Sequence, residues 1–381
     1  ATVGPAAPNV PGPAAGTPAA LAPRVDGLPA GLGRALLEKL PSGLMLLDAS
    51  GRVIFQNAAA LDMLERSMIG VQGAAALRAP ALSEAIAAAF DEDRASEIEV
   101  TLLRSKERVI HATVRPLPVA AAPDPAAPAV LVLMEDRTRM AKAEALRRDF
   151  VANASHELKT PLASISGFIE TLQGHARNDP EATQRFLAIM AGQAERMRRL
   201  VEDLLSLNRI EINEHVRPRE PVDVAALFWE VASGLAPLAA AEGAQIAVEL
   251  PREGLVVRGS RDEIAQVIVN LLDNAIKYAG ADGPIRVLRA EPDPLRAGMY
   301  GVTVADSGPG IAREHLPRLT ERFYRVSVAR SRERGGTGLG LAIVKHIVNR
   351  HRGDLQIASA PGEGARFTVW LPPYAGEPAG R

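Results

Sequence analysis

Two consecutive helical patterns constrain this chain more than any other feature. From Thr138 to Gly174, the apolar positions Val151, Ala154, Leu158, Leu162, Ile165, Ile169 and Leu172 recur in steps of three and four residues. That spacing lays a heptad-like seam along one helix face. After a polar turn at Gly174 to Pro180, the positions Phe186, Met190, Gln193, Met197, Leu200, Leu204 and Leu207 repeat the pattern, and only Gln193 departs from the apolar set. Two such helices joined by a short turn form an antiparallel hairpin. A single hairpin leaves part of each seam uncovered. Two hairpins related by a twofold axis close it as a four-helix bundle, so a homodimer is expected.

The hairpin occupies about a fifth of 381 residues, and the rest is too long for one further domain. Residues 1–34 hold seven prolines and only three charges (Arg24, Asp26, Arg34), the composition of a flexible linker. Between 35 and 136, two short apolar runs flank the turn Ala49-Ser50-Gly51, as in a β-hairpin. Strands are predicted at Ile98 to Leu103, Arg108 to Val114 and Val130 to Glu135, giving a small α+β domain. After residues 137–217, which hold the helical hairpin, residues 218–374 mix helices (223–242, 261–279, 338–352) with strands. Those strands fall at Ile246 to Leu250, Ile285 to Arg289, Tyr300 to Ala305, Leu355 to Ser359 and Phe367 to Leu371. Most of them alternate apolar and polar residues, so one sheet face is covered by helices, as in an α/β sandwich. Residues 375–381 are a tail.

Composition removes several function classes. The chain has no cysteine, which excludes disulfides, thiolate metal sites and cysteine nucleophiles. A net charge of −1 gives no electrostatic basis for a nucleic-acid partner. No run of about 18 apolar residues free of charge and proline occurs, so no membrane span is expected within the chain. It opens on Ala1 rather than Met, which leaves room for a membrane anchor upstream.

Chemistry concentrates in five blocks. The first is Ser155-His156-Glu157-Leu158-Lys159-Thr160-Pro161-Leu162 on the first helix. At about 100° per residue, His156 lies off the seam and faces solvent. An exposed neutral imidazole keeps a free lone pair and can act as a nucleophile. Glu157 can take the proton on its other ring nitrogen, Thr160 one turn on can position a water, and Pro161 bends the helix. His175, His215, His315, His346 and His351 are read as ordinary surface histidines, and His111 as a half-buried strand residue.

The second block runs from Asn270 to Tyr278. Asn270, Asn274, Lys277 and Tyr278 share one helix face opposite the apolar Val267, Ile268, Leu271, Leu272 and Ile276. Two amides a turn apart can hold a hydrated Mg²⁺ through oxygen, a lysine suits phosphate, and a tyrosine can pack on a base. The third is Asp306-Ser307-Gly308-Pro309-Gly310-Ile311 after a strand, where Asp306 can accept from an exocyclic amine and Gly308 and Gly310 allow close approach. The fourth is Arg322-Phe323-Tyr324-Arg325, followed by Arg330, Arg332 and Arg334. It reads as a lid in which Arg325 reaches the γ-phosphate. The fifth is the loop Gly336, Thr337, Gly338, Leu339, Gly340 opening a helix, whose N–H groups can bind phosphate. Its spacing fits neither a Walker loop nor a dinucleotide fingerprint. Gly362 to Phe367 is read as a structural turn.

The first block resembles the H-box of sensor histidine kinases, with its His-Glu-x-x-Thr-Pro core. The other four look like the N, G1, F and G2 boxes of that family, in order. The resemblance covers roughly 138–374. It implies the left-handed (Bergerat-type) ATP-binding sandwich shared with gyrase, mismatch-repair and heat-shock ATPases. It also implies ATP and Mg²⁺ as cofactors, His156 as phospho-acceptor, Glu157 as base and Thr160 as a phosphatase residue. The expected partners are a second copy and the receiver domain of a response regulator, with the kinase in the cytoplasm and its parent protein anchored in the bacterial inner membrane. Residues 35–136 look like a PAS sensor module, and Arg148 to Asn153 is similar to the phosphate-regulon sensor kinases. The competing expectations are a mechanical ATPase of the same fold and an inactive kinase scaffold.

Overall fold

The computed structural model describes residues 32–73, 79–118, 127–174, 179–213, 216–279, 283–326 and 336–374. The chain divides between Arg148 and Asp149 into two compact units.

The first unit contains helices α1 (Leu32–Glu38), α2 (Ala58–Leu64) and α3 (Pro80–Asp91) and strands β1 (Gly43–Asp48), β2 (Val53–Gln56), β3 (Ser96–Leu103), β4 (Glu107–Pro116) and β5 (Pro128–Asp136). The strands form one antiparallel sheet ordered β2-β1-β5-β4-β3. Its inner face, including Met45, Leu47, Ile110, Val132 and Met134, packs with Leu64, Leu82 and Ile86 from α2 and α3. All five predicted strands are present. Asn57 organises the entry: its Oδ1 accepts from the Leu44 and Ala60 amides at 2.9 Å, and its Nδ2 donates to Leu37 and Ser42 carbonyls. It caps α2 and ties α1 to the sheet with one side chain. At the exit, Thr138 Oγ1 accepts from the Val109 amide, and the Thr138 amide donates to Asp136. His111 is half-buried on β4, as the alternation predicts.

Helix α4 (Thr138–Gln173) begins in the first unit and continues into the second, where α5 (Pro180–Ile212) follows it. Asp179 caps α5 and Pro180 takes its first position, a start signal readable in the sequence. The turn residues 175–178 lie outside the described residues. Phe168 and Phe186 stack across the hairpin at 5.0 Å between ring centroids. Seam residues Leu200 and Leu207 are buried, whereas Val151, Leu162 and Ile169 stay exposed. One hairpin therefore covers only part of its seam.

The second sheet is built from β7 (Ile246–Glu249), β9 (Ile285–Arg289), β10 (Tyr300–Asp306), β11 (Asp354–Ser359) and β12 (Ala365–Leu371), ordered β11-β12-β10-β9-β7. Only β7 and β9 run parallel. Helices α6 (Val224–Ala241), α7 (Arg261–Tyr278) and α8 (Gly340–Arg350) share its core. Two strands escaped the sequence reading: β6 (Glu220–Asp223) and β8 (Val256–Gly259) are four residues each and pair with one another in a two-stranded sheet. Strands that short carry too little alternation to be read. Among the described residues, α6 alone is long and apolar enough by composition to cross a membrane. It carries Glu230 and Pro237, and buries Val224, Leu227 and Phe228 in the sheet's core.

His351 corrects an expectation. It is not a surface residue but is 4% exposed. Its Nε2 accepts the Ser260 amide at 3.0 Å, so Nδ1 carries the hydrogen given to the Ile347 carbonyl at 2.8 Å. A side chain at Gly259 would collide with Ile264 and crowd this ring. His315 is half-buried against the Tyr324 hydroxyl at 2.7 Å.

Candidate functional site

The hairpin and the sandwich share one continuous core: Leu200, Leu207 and Ile210 of α5 belong to the cluster that includes Leu271, Val304 and Ile343. His156 is exposed on α4. Glu157 does not turn toward it. Its Oε2 accepts from Arg196 at 2.9 Å and from Arg325 at 3.2 Å. Neighbours one residue apart on a helix diverge by about 100°, so Glu157 faces its own hairpin partner and the sandwich instead. Thr160 Oγ1 donates to the His156 carbonyl at 3.1 Å. Pro161 is buried within the helix and, having no N–H, donates no hydrogen bond to the preceding turn.

On α7 the amphipathic reading holds residue by residue. Val267, Ile268, Leu271, Leu272 and Ile276 are buried, and Asn270, Asn274, Lys277 and Tyr278 are half-buried on the other side. Asn270 Nδ2 donates to the Gly340 carbonyl at 3.4 Å, which joins the second block to the fifth. Lys277 pairs with Asp273 one turn back at 2.5 Å.

Asp306 ends β10, where its Oδ1 accepts from the Gly308 amide at 2.9 Å and the Ala365 amide at 3.2 Å. Burial pushes its carboxyl up from the ordinary carboxylate range, against the pull of those two amides. A Cβ on Gly308 would strike the Tyr278 carbonyl, so this glycine lets the loop close on the end of α7. Gly310 takes a positive φ of 70°, where a Cβ would meet the Ala360 carbonyl.

In the fifth block, Gly338 lies at φ 77° with its would-be Cβ 2.9 Å from Phe323 Cα. Phe323 is itself at φ 63°, and its amide donates to the Gly338 carbonyl at 2.9 Å. The fourth and fifth blocks are therefore locked backbone to backbone. The Leu339 side chain is wholly buried in the core. Only its main chain is left for the site, and its amide donates to Thr337 Oγ1 at 3.3 Å. Arg325 is 6% exposed and also donates to the Gly336 carbonyl at 2.6 Å. Arg330, Arg332 and Arg334 lie outside the described residues, as does most of the expected lid.

Several residues here escaped the sequence reading. Arg196 pairs with Glu157, Asp203 accepts from Thr337 Oγ1 at 2.6 Å, and Glu211 pairs with Arg322. Phe150 meets the Phe323 ring at 5.9 Å and lies under the Arg322 guanidinium. All four sit on the hairpin, where the seam pattern marks them only as positions off the core.

The four later blocks thus come together in one compact unit with the helix that carries His156. Residues 259–375 match the family model of histidine kinase-, DNA gyrase B- and HSP90-like ATPases, which implies ATP binding. Residues 146–213 match that of the His Kinase A (phospho-acceptor) domain, and residues 34–99 a PAS domain. The relatives that match these segments are sensor histidine kinases. Among relatives in that family, the phosphate regulon sensor protein PhoR of Pseudomonas aeruginosa is 42% identical over 243 residues, which is 64% of this chain and 54% of PhoR. The sensor-like histidine kinase SenX3 of Mycolicibacterium smegmatis is 38% identical over 245 residues, 64% of this chain and 62% of SenX3. This chain therefore spans a little over half the length of those sensor kinases. The solved structure of the Acinetobacter baumannii histidine kinase AdeS aligns with a TM-score of 0.45 and 27% identity, over 57% of this chain and 97% of that one.

Proposed function

We propose that this chain transfers the γ-phosphoryl group of Mg-ATP to His156 and then to an aspartate on the receiver domain of a response regulator. The observation that carries this reading is an exposed imidazole on a helix, in the same compact unit as the four other blocks. In the transfer, the free ring nitrogen of His156 attacks the γ-phosphorus in line. The bond to the β–γ bridging oxygen breaks, and ADP leaves with that electron pair. The proton on the other ring nitrogen passes to a carboxylate, for which Glu157 is the candidate once it leaves its arginines. Asn270 and Asn274 would hold the Mg²⁺, which supplies charge neutralisation at the phosphates. Asp306 would take the adenine amine; Gly308 and Gly310 would let the base approach, with Lys277 and Tyr278 along its flank. The loop of Gly336, Thr337, Gly338, Leu339 and Gly340 would bind phosphates with main-chain N–H groups. Arg325 would meet the γ-phosphate after exchanging from Glu157. Thr160 would position water for hydrolysis of the phosphorylated regulator.

The working partition is a PAS-like sensor at 35–136, the phosphotransfer hairpin at 137–217 and the ATP-binding domain at 218–374. A homodimer follows from the apolar residues left exposed on the hairpin: Val151, Leu162 and Ile169 on α4, and Leu187, Val201 and Leu205 on α5. Phosphate-regulon signalling is favoured by the likeness to PhoR. A cytoplasmic position suits a protein that consumes ATP.

The deciding experiment incubates the chain with γ-labelled ATP and Mg²⁺. Acid-labile, base-stable label is expected on wild type and is lost in His156→Ala and Asn274→Ala. A wild-type chain that binds ATP but takes no label would refute the kinase reading.

A further inference from the structure

One side chain of the hairpin reaches the nucleotide loops without serving the reaction. Asp203 on α5 accepts the Thr337 hydroxyl hydrogen at 2.6 Å, from a residue 134 positions along the chain. The same hydroxyl accepts the Leu339 amide at the threshold of α8. The first turn of a helix carries N–H groups with no intrahelical partner, together with the positive end of its dipole. Asp203 is largely withdrawn from water. Burial pushes its carboxyl up from the ordinary range; the Thr337 hydroxyl and the Lys277 ammonium pull it down, while Asp273 and Glu202 push it further up. The carboxyl is thus held by hydrogen bond on the loop read as the phosphate site, although burial and its acidic neighbours work against its charged form.

We infer that Asp203 stands in for a nucleotide phosphate: it holds Thr337 and the Gly336–Gly340 loop against α5, and Mg-ATP must displace it to bind. The inference rests on the nucleotide-binding reading above. Displacement would release the loop from the hairpin, so nucleotide binding and undocking of the ATP-binding domain become one step. Arg325 supports this coupling, since it lies on Glu157 in the docked arrangement and serves a phosphate only after leaving it. Arg322 on Glu211 and Phe323 against Phe150 hold the same docked face. Linkage makes the effect reciprocal: whatever strengthens docking weakens ATP binding by the same factor.

The test is calorimetric titration of the full chain with Mg-ATP, in a His156→Ala background so that no phosphoryl transfer consumes the ligand. Apparent affinity is reduced by the fraction of molecules in the competent state, so Asp203→Ala should tighten Mg-ATP by about three- to tenfold, and Asp203→Asn by less. Unchanged or weaker binding by Asp203→Ala, with its melting transition intact, overturns the inference. A second measurement uses the absence of cysteine. The pair Asp203→Cys and Thr337→Cys should cross-link on oxidation, lose Mg-ATP binding, and regain it on reduction. Failure to cross-link, or equal binding in both forms, counts against the latch. If no form of the chain binds Mg-ATP, the nucleotide reading falls and takes the latch with it. If binding tightens as expected but His156 in the native chain takes no label, the kinase reading falls and the latch stands.

Discussion

Replacing Gly338 by alanine separates backbone strain from a steric lock in the nucleotide loop. Gly338 sits at φ 77°, and alanine in the left-handed region costs about 1–2 kcal/mol. Part of that, about 0.4–1 kcal/mol, is returned because alanine restricts the unfolded chain. Gly243 supplies the control: it has φ 74° and nothing within 4 Å of its would-be Cβ. Gly243→Ala should therefore lower stability by about 1 kcal/mol or less and leave ATP affinity alone. At Gly338 the new methyl meets Phe323 Cα at 2.9 Å, so backbone must move. Moving it threatens the 2.9 Å hydrogen bond from the Phe323 amide to the Gly338 carbonyl, worth about 1 kcal/mol. Against a folded chain with the loop open, where the unfolded-state return does not enter, strain and lost bond total about 2–3 kcal/mol. The loop can escape it by opening locally, so the loss should appear mainly as weaker Mg-ATP binding, by about thirtyfold or more at 1.4 kcal/mol per tenfold. Calorimetric titration and thermal melting of wild type and both variants read the two quantities. Gly338→Ala binding Mg-ATP within threefold of wild type would refute the reasoning about the Phe323–Gly338 lock.

Other outcomes are equally checkable. Burial holds the His351 imidazole below its ordinary value of 6.5, opposed by the Ile347 carbonyl and Glu263 and assisted by Arg350. The folded state thus binds fewer protons than the unfolded chain in the window below 6.5, so stability present above that pH falls as pH drops toward the folded value. His351→Gln should flatten the melting temperature between pH 5 and about 6.5, and an unchanged slope would exclude His351 as its source. Leu162→Glu puts charge on an exposed seam position in both copies of the expected dimer. Losing about 1.5–3 kcal/mol of leucine burial per copy should weaken dimerisation about 100-fold or more by analytical ultracentrifugation, and an unaltered dimer would move the interface elsewhere. Thr160→Ala should keep the label on His156 while hydrolysis of the phosphorylated regulator slows about tenfold or more. Equal hydrolysis by both would remove Thr160 from that step.

Much of the fold was legible because it rests on local periodicity. The α7 pattern from Val267 to Tyr278 puts Val267, Ile268, Leu271, Leu272 and Ile276 in the core and leaves Asn270, Asn274, Lys277 and Tyr278 half-buried, as read. The strand Ile285–Arg289 appears with its predicted bounds. The glycines of the third and fifth blocks announced unusual backbone, and Gly310 and Gly338 adopt it. Leu339, assigned to the site through its main chain, fills the core with its side chain. His351 shows a limit of local reading, since a histidine near a helix end looks the same in sequence whether it meets water or the Ser260 amide.

By itself, then, the sequence determined the main strands and long helices, the two seams and the five chemical blocks, the presented histidine among them. Each of these depends on residues within a few turns of one another, where period and turn chemistry act directly. Only tertiary structure decided what those groups touch. It turned Glu157 from His156 to Arg196 and Arg325, set Arg322 on Glu211, and brought Asp203 to Thr337. Arg196 and Asp203 are polar positions on a solvated-looking helix face, and nothing local distinguishes them from Glu195 or Glu202. Their partners are set by which face of the sandwich packs on which turn of α5. That choice belongs to the shared core of Leu200, Leu207 and Ile210 with the sheet domain, and not to the spacing of residues along either segment.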